Sequence, residues 1–358
     1  MYTGYWADAW LTPNRAVERD ERRRVSSHLI LVSLYFAAAA GAAIIVAFVI
    51  LNAATTTTCL RPPIRREWRS LGKDEKEEYI SAAKCLYNVS SQVVSEGSVQ
   101  DDFAWIHIRY SGAAHEDASF LPWHRMFVHI YEQKLRDHCG LVGQLPYWDW
   151  SRDWQNLTTS SIWDDTDGFG SPGTGESSGI SGPFSDVHVR YRDNGTISPH
   201  RLARSFLNYD SGEIGSMSGE LIKPEIMGRL ARAGDYDTFR YLIEGTLHNV
   251  VHLEVVGDLD ELTAPNGMFR KLHVRRCNAD GVITDPIFWL HHVQLDRLWW
   301  QWQQEDQTRV WEYYGEHEKQ TSRRASLQDE LSFGDLISRN ILVEQVMDTQ
   351  SSMLCYRY

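Results

Sequence analysis

The chain has 358 residues, enough for one sizeable globular domain with an appendage, and 42% apolar residues, the balance of a folded rather than a disordered chain. With 36 basic against 48 acidic side chains the formal charge is -12, and no basic block exceeds Arg22-Arg23-Arg24, which excludes a nucleic-acid partner. Fourteen histidines and 14 tryptophans exceed what packing alone asks of a chain this long, so the histidines need individual explanation.

Residues 1–28 form a polar tail. Residues 29–51 (LILVSLYFAAAAGAAIIVAFVIL) run for 23 positions without a charge, about 35 Å as a helix against a hydrocarbon core of about 30 Å. This segment is expected to be a transmembrane anchor; a cleaved signal peptide is the competing reading, but its apolar region and basic leader are normally shorter. Arginines flank the span almost evenly, so charge alone does not orient it. Three glycosylation sequons, at Asn88, Asn156 and Asn194, all follow it and none precedes it. The expectation is a single-pass membrane protein with its large domain lumenal or extracellular, or a secreted one if the segment is cleaved. Cys59, Cys85, Cys139, Cys277 and Cys355 also follow the span, with no Cys-x-x-Cys pair, and in such a compartment would form structural disulfides of unspecified connectivity.

The large domain is placed at residues 59–358. Apolar residues among charges over residues 65–87 predict one or two amphipathic helices broken at Gly72. Helical periodicity recurs over residues 103–109, 127–138, 239–253 and 287–304, whereas strand-like alternation is scarce, so the domain is predicted to be mainly α. Residues 164–183 (DDTDGFGSPGTGESSGISGP) predict a surface loop that divides it into two histidine-bearing halves.

In the first half, His107, His115 and His124 fall within 18 residues. A single buried histidine is more often a core residue satisfied by a carbonyl, but three so close shift the balance toward a metal. In the second half, His248 and His252 lie four apart and share one helical face. Zinc peptidases use that spacing with a glutamate after the first histidine; here Asn249 stands there, which argues against that class. Further on, Asp285 and Pro286 open a helix that carries His291 and His292. Neighbours on a helix point about 100° apart, so only one of the two can face a common cavity. All-imidazole sites without cysteine or carboxylate suit copper best, zinc and nickel less well.

On these residues the chain resembles the tyrosinases of the type 3 copper proteins, particularly short fungal-type ones. The resemblance rests on His115 followed by Phe120-Leu121-Pro122-Trp123-His124-Arg125 with Val128 and Glu132 in step, and on Asp285-Pro286-x-Phe288-Trp289-x-x-His292-x-x-x-Asp296. It runs from about Cys59 to Tyr356-Arg357-Tyr358, similar to the Tyr-x-Tyr element that closes the family's core, and does not cover the apolar span. It implies an antiparallel four-helix bundle holding a dicopper centre: His107, His115 and His124 on the first copper, and His248, His252 and His292 on the second, with His291 a non-ligand neighbour and dioxygen as co-substrate. Asp296, Arg297 and Glu132 would support ligand orientation. Glu244 and Asn249 look like the pair that fixes a water able to deprotonate a phenol; the plainer reading is that Glu244 pairs with an arginine on a solvated helix face. Ala113 stands where many members carry a cysteine thioether-bonded to the second histidine, so no such crosslink is expected. A C-terminal domain that plugs the site is not expected either.

The resemblance thus implies a copper oxidoreductase that hydroxylates monophenols, oxidises o-diphenols to o-quinones, or both, on a small phenolic or tyrosine-containing substrate in secondary metabolism or pigment formation. A catechol or o-aminophenol oxidase without hydroxylation is the nearest alternative. A hemocyanin-like oxygen carrier and a copper-free binding module are the readings from other classes.

Overall fold

Local capping chemistry decides where the site-bearing helices start and stop. The computed structural model describes Tyr35 and residues 59–173, 179–192, 196–259, 284–317 and 323–358. The tail over residues 1–28, the expected span over residues 29–51 apart from Tyr35, Asn194 and Cys277 lie outside them. Among the described residues no helix is long and apolar enough to cross a membrane.

Helix α1, Lys73–Leu86, starts at Gly72, whose amide donates to Glu75 Oε2 at 2.8 Å. The break expected at Gly72 is therefore the junction between a short 3-10 turn, Trp68–Ser70, and this helix. Helix α2, Val99–Ala114, opens on a reciprocal cap: Asp101 N donates to Ser98 Oγ at 3.2 Å and Ser98 N to Asp101 Oδ2 at 2.8 Å. Helix α3, Phe120–Cys139, ends at Gly140, which takes a left-handed φ of 69° that closes the last turn without a Cβ penalty. The connection over residues 115–119 is short enough to force α2 and α3 into antiparallel neighbours.

In the second half α4, Pro224–Ala231, precedes α5, Tyr236–Leu242. The chain then widens into a π-helical turn, Ile243–His248, before α6, Asn249–Glu254. Such turns collect at functional sites because they rotate side chains off the regular helical stripe. Helix α7, Ile287–Glu305, begins where Asp285 Oδ1 accepts from Ile287 N at 3.0 Å, the cap that the sequence predicts.

These helices enclose a layer of rings. Trp289 of α7 stacks on Tyr131 of α3 with centroids 3.7 Å apart, and Phe103 of α2 meets both Trp289 and Phe127 edge-on at 5.1 and 5.3 Å. All four are buried, which removes large apolar areas from water and fixes the spacing of the bundle. The domain is mainly helical, as expected, with small antiparallel ribbons added where little alternation is visible: β1, His188–Arg192, pairs with β2, Thr196–Arg201, and β3, Arg204–Phe206, with β4, Val255–Gly257.

The expected surface loop over residues 164–183 is only partly a surface loop. Its two large apolar residues, Phe169 and Ile180, are buried, and Phe169 packs against Trp68 at 5.1 Å and stacks on Phe184 at 5.5 Å. Two side chains are enough to tie a polar segment to the core. Residues 58–358 cluster as one unit, closed by a Cys59–Cys355 disulfide, while Cys85–Cys139 joins α1 to the end of α3.

Candidate metal centre

The histidines of the first half come from two helices and the turn between them. His107 lies on α2, His115 at its C-terminal end and His124 one turn into α3. All three are buried, with ring centroids 4.9 to 5.6 Å apart and their candidate ligand atoms within 4.8 Å of one another. In the second half His248 ends the π-helical turn, His252 follows on α6 and His292 lies on α7, with centroids 4.4 to 5.6 Å apart. The two groups face each other. His124 stacks on His292 at 4.5 Å with 15° between planes, and His115 meets His248 at 5.5 Å.

Whether these residues fit metal ions can be read from their outer nitrogens. His115 Nδ1 faces Ser111 O at 3.2 Å, His124 Nδ1 faces Phe120 O at 2.8 Å, and His252 Nδ1 faces Leu259 O at 2.9 Å. His248 Nδ1 faces Asn249 Oδ1 at 2.9 Å. A carbonyl oxygen only accepts, so Nδ1 carries the proton in each case and Nε2 is left as a lone pair. That tautomer, held by a carbonyl behind the ring, is the arrangement metal-ligating imidazoles need. Burial, with His124, His248, His291 and His252 crowded around it, holds His292 well below the usual imidazole range and hence in the neutral form a metal requires.

His291 corrects one expectation. Although it adjoins His292 in sequence, its ring does not turn away from the cluster but lies 5.1 Å from His252 and 5.8 Å from His248, and it groups with the other three. The indole Nε1 of Trp150 donates to its Nδ1 at 3.2 Å. An imidazole whose Nδ1 accepts carries its proton on Nε2, so neutral His291 has no lone pair left for a metal.

Aromatic rings line the space between the groups. Phe288 lies 4.1 Å from His292 and 5.4 Å from His107, and Phe120 lies 4.8 Å from His124 and 5.0 Å from His248. Glu244, in the π-helical turn, is buried, not on a solvated face. It does pair with an arginine: Arg240 Nη1 donates to Oε2 at 3.1 Å, while Glu116 N donates to Oε1 at 2.5 Å. Burial pushes its carboxyl up, against His115, the Glu116 amide and Arg240, which favour the charged form. Asn249 spends its oxygen on His248, and its buried Nδ2 has no partner among the described residues.

The groups expected to support ligand orientation hold helices, not rings. Asp296 accepts from Arg125 Nε, Tyr356 OH and Tyr358 OH, each at 2.5 Å, and lies 3.5 Å from Arg65 Nη1. Burial alone would raise its carboxyl, but Arg125 and Arg65 hold it below its ordinary value. Glu132 accepts from Arg65 Nη2 at 2.5 Å and Arg136 Nη2 at 2.9 Å, which lower it against burial in the same way. Arg297 is further removed: it donates to Gln294 Oε1 at 3.3 Å, stands 3.8 Å from Asp149 Oδ2 and covers Tyr147. It fastens the segment around residues 147–149 to α7. Arg65, at the opening of the domain, carries no local sequence signal for its part in this network. Arg125 does, because it ends the dense block that contains His124.

A helical bundle with two facing three-histidine groups, four of whose six rings are held at Nδ1 by an oxygen acceptor, defines a paired-metal centre of the type 3 kind. The chain belongs to the tyrosinase family: the model for the common central domain of tyrosinase matches residues 97–305. It is 42% identical over 313 residues to the tyrosinase-like protein phomQ2 of Diaporthe leptostromiformis, covering 84% of this chain and 74% of that one. It is 40% identical over 312 residues to tyrosinase ustQ of Aspergillus flavus, covering 84% and 80%. Among solved structures, a polyphenol oxidase from Thermothelomyces thermophila superposes with a TM-score of 0.68 at 26% identity, covering 86% of this chain and 92% of that one. The chain is an oxidoreductase of this family, with two copper ions as its cofactor.

Proposed function

We propose that the chain uses dioxygen to oxidise phenols between the two histidine groups, hydroxylating monophenols and converting o-diphenols to o-quinones. The observation that carries the reading is the facing pair of buried groups, with four of the six rings locked as Nδ1–H tautomers. His107, His115 and His124 would hold one copper and His248, His252 and His292 the other. When bound, the pair supplies the two-electron exchange between dioxygen and the phenol. Monophenol and dioxygen then balance as o-quinone and one water; two o-diphenols and one dioxygen balance as two o-quinones and two waters.

The chain's own residues do the rest. Phe120 and Phe288 exclude bulk water and offer ring faces to an aromatic substrate. Asn249 Nδ2 can hold a water, and the Glu244 carboxylate can take the phenolic proton through it. The engagement of both Glu244 oxygens, by Arg240 and by Glu116 N, favours a second reading in which this base is idle and only o-diphenols or o-aminophenols turn over. Oxygen uptake with a monophenol and its matching catechol separates the two. The expected result is uptake with both, and for Glu244→Gln a loss of at least tenfold on the monophenol with the catechol rate largely kept. Uptake with the catechol alone in the parent protein would leave the oxidase-only reading.

A lumenal or extracellular site for this chemistry, anchored by residues 29–51, is part of the proposal. Two disulfides and the exposed sequon residues Asn88 and Asn156 support it. Sensitivity of the expressed chain to an N-glycosidase, with protection from external protease in sealed microsomes, is the check.

A further inference from the structure

Asp258 belongs to no histidine group, yet five hydrogen bonds meet on it. Its amide donates to Ala203 O at 3.0 Å, and its carbonyl accepts from Thr284 N at 3.0 Å and Asp285 N at 3.1 Å. Its Oδ2 accepts from Ala203 N at 2.7 Å, and its Oδ1 lies 2.9 Å from His200 Nε2. The residue is buried.

Each of these bonds leads toward one half of the site. The next residue, Leu259, supplies the carbonyl behind His252 Nδ1, so fixing Asp258 fixes the direction of that carbonyl. Thr284 and Asp285 lead into α7, whose second turn carries His292, and Asp285 both accepts from Ile287 N and receives two bonds from Arg204, each at 2.7 Å. One backbone carbonyl thereby joins the stretch that orients His252 to the start of the helix that carries His292. His200 completes the knot: its Nδ1 faces Ser198 O at 2.7 Å and its Nε2 faces the Asp258 carboxylate, both of them acceptors, so the ring donates from both nitrogens as the imidazolium. In the first half His115 and His124 rest on Ser111 O and Phe120 O within their own helices, and none of the five bonds of Asp258 goes to that half.

We infer that Asp258 is a positioning residue for the second copper site, setting the ring of His252 through Leu259 and the start of the His292 helix through Thr284 and Asp285, with His200 holding its carboxylate. The inference rests on the ligand assignment proposed above. Because the knot serves one half alone, its loss has a one-sided effect, which a general weakening of the fold would not produce.

The test is copper binding by the full chain in competition with a chromophoric chelator, with metal analysis and electron paramagnetic resonance of partly loaded protein. Asp258→Asn and His200→Leu are expected to keep one copper at parental affinity and to bind the other about 10–100-fold more weakly, the usual cost of losing an outer partner. Partly loaded samples then show the signal of an isolated copper(II). His200→Gln, which keeps a donor for the carboxylate, is expected to restore near-parental binding. His252→Ala serves as the reference and loses the second copper outright. Should Asp258→Asn fail to fold, His200→Leu against His200→Gln carries the test alone. If His252→Ala loses a copper while Asp258→Asn and His200→Leu bind two at parental affinity, or weaken both sites equally, the role given to Asp258 is overturned. If His252→Ala itself still binds two coppers, the ligand assignment fails instead.

Discussion

His129 illustrates how a histidine outside the metal groups is paid for by burial. It lies on α3 one turn beyond His124, and Gln133 Nε2 lies 2.9 Å from its Nε2, so the neutral ring accepts there and carries its proton on a buried Nδ1. Burial, partly offset by Glu132 and reinforced by Arg65 and Arg136, lowers its pKa to about 4. The sign follows directly: below the ordinary value of about 6.5 the unfolded chain binds a proton that the folded chain refuses until about pH 4, so stability is lost as pH falls through that window. The slope is about 1.4 kcal/mol per pH unit. Urea unfolding at pH 7 and pH 5 should therefore show His129→Phe losing about 2 kcal/mol less than the parent over that interval; equal losses would remove His129 from the acid response. From sequence, His129 and the grouped histidines are the same residue type on the same kind of stripe. What set His107, His115, His124, His248, His252 and His292 apart was clustering and the dense blocks around them. Their protonation states were not legible, because these depend on carbonyls such as Leu259 O that become neighbours only through the fold. His291 marks the limit of the 100° argument: it correctly separates the directions of adjacent side chains, but a crowded cavity can receive both.

At the scale of elements, the helices were legible wherever an apolar stripe met a cap. Asp285 with Pro286 is such a local signal, and α7 begins beside it, whereas the stretch predicted over residues 103–109 starts inside α2, which the Ser98 and Asp101 cap opens at Val99. The π-helical turn was not legible, since the run Phe239–Leu253 reads as one continuous helix and only packing decides which turn widens. Nor were the β3 and β4 ribbons, which are three residues each and held largely by what they join. Arg204 on β3 is the clearest case. Its guanidinium bonds Asp285 twice and also donates to Phe169 O and Gly170 O, with neither charged side chain of the pair exposed. It therefore joins a ribbon, the polar loop and the cap of α7 at one point. Removing one partner of a buried pair leaves the other charged and unsolvated, which typically costs about 3–5 kcal/mol. Arg204→Met should lower stability by that order in denaturant unfolding, and Arg204→Met combined with Asp285→Asn should recover part of the loss by removing the stranded charge. A single-variant loss below about 1 kcal/mol, the scale of an exposed pair, would show that water reaches the site.

For the whole molecule, the decisive connection runs between the ends of the domain. Cys59 and Cys355 are 296 residues apart and disulfide-bonded, Ile64 and Arg357 form an isolated parallel bridge, and Tyr356 and Tyr358 both bond Asp296 in α7. The Tyr-x-Tyr element could be recognised in the sequence, but its target could not, because Arg65, Asp296 and Tyr358 are brought together from three distant parts of the chain. The disulfide keeps that closing segment beside its target by limiting how far the unfolded chain can separate its ends, an effect that grows with loop length and is typically about 2–4 kcal/mol. Replacing Cys59 and Cys355 together by serine should lower stability by about that amount. Its consequence should also be local, since the tail then stays docked only through noncovalent contacts, among them the Asp296 bonds and the Ile64 pairing: under limited proteolysis the first cuts should fall near residues 348–358, before any in α2, α3 or α7. Mass spectrometry of the early fragments decides the matter. First cuts within the histidine-bearing helices would mean that the covalent closure supports the bundle itself, and that the tail contributes little of its own to holding α7 in place.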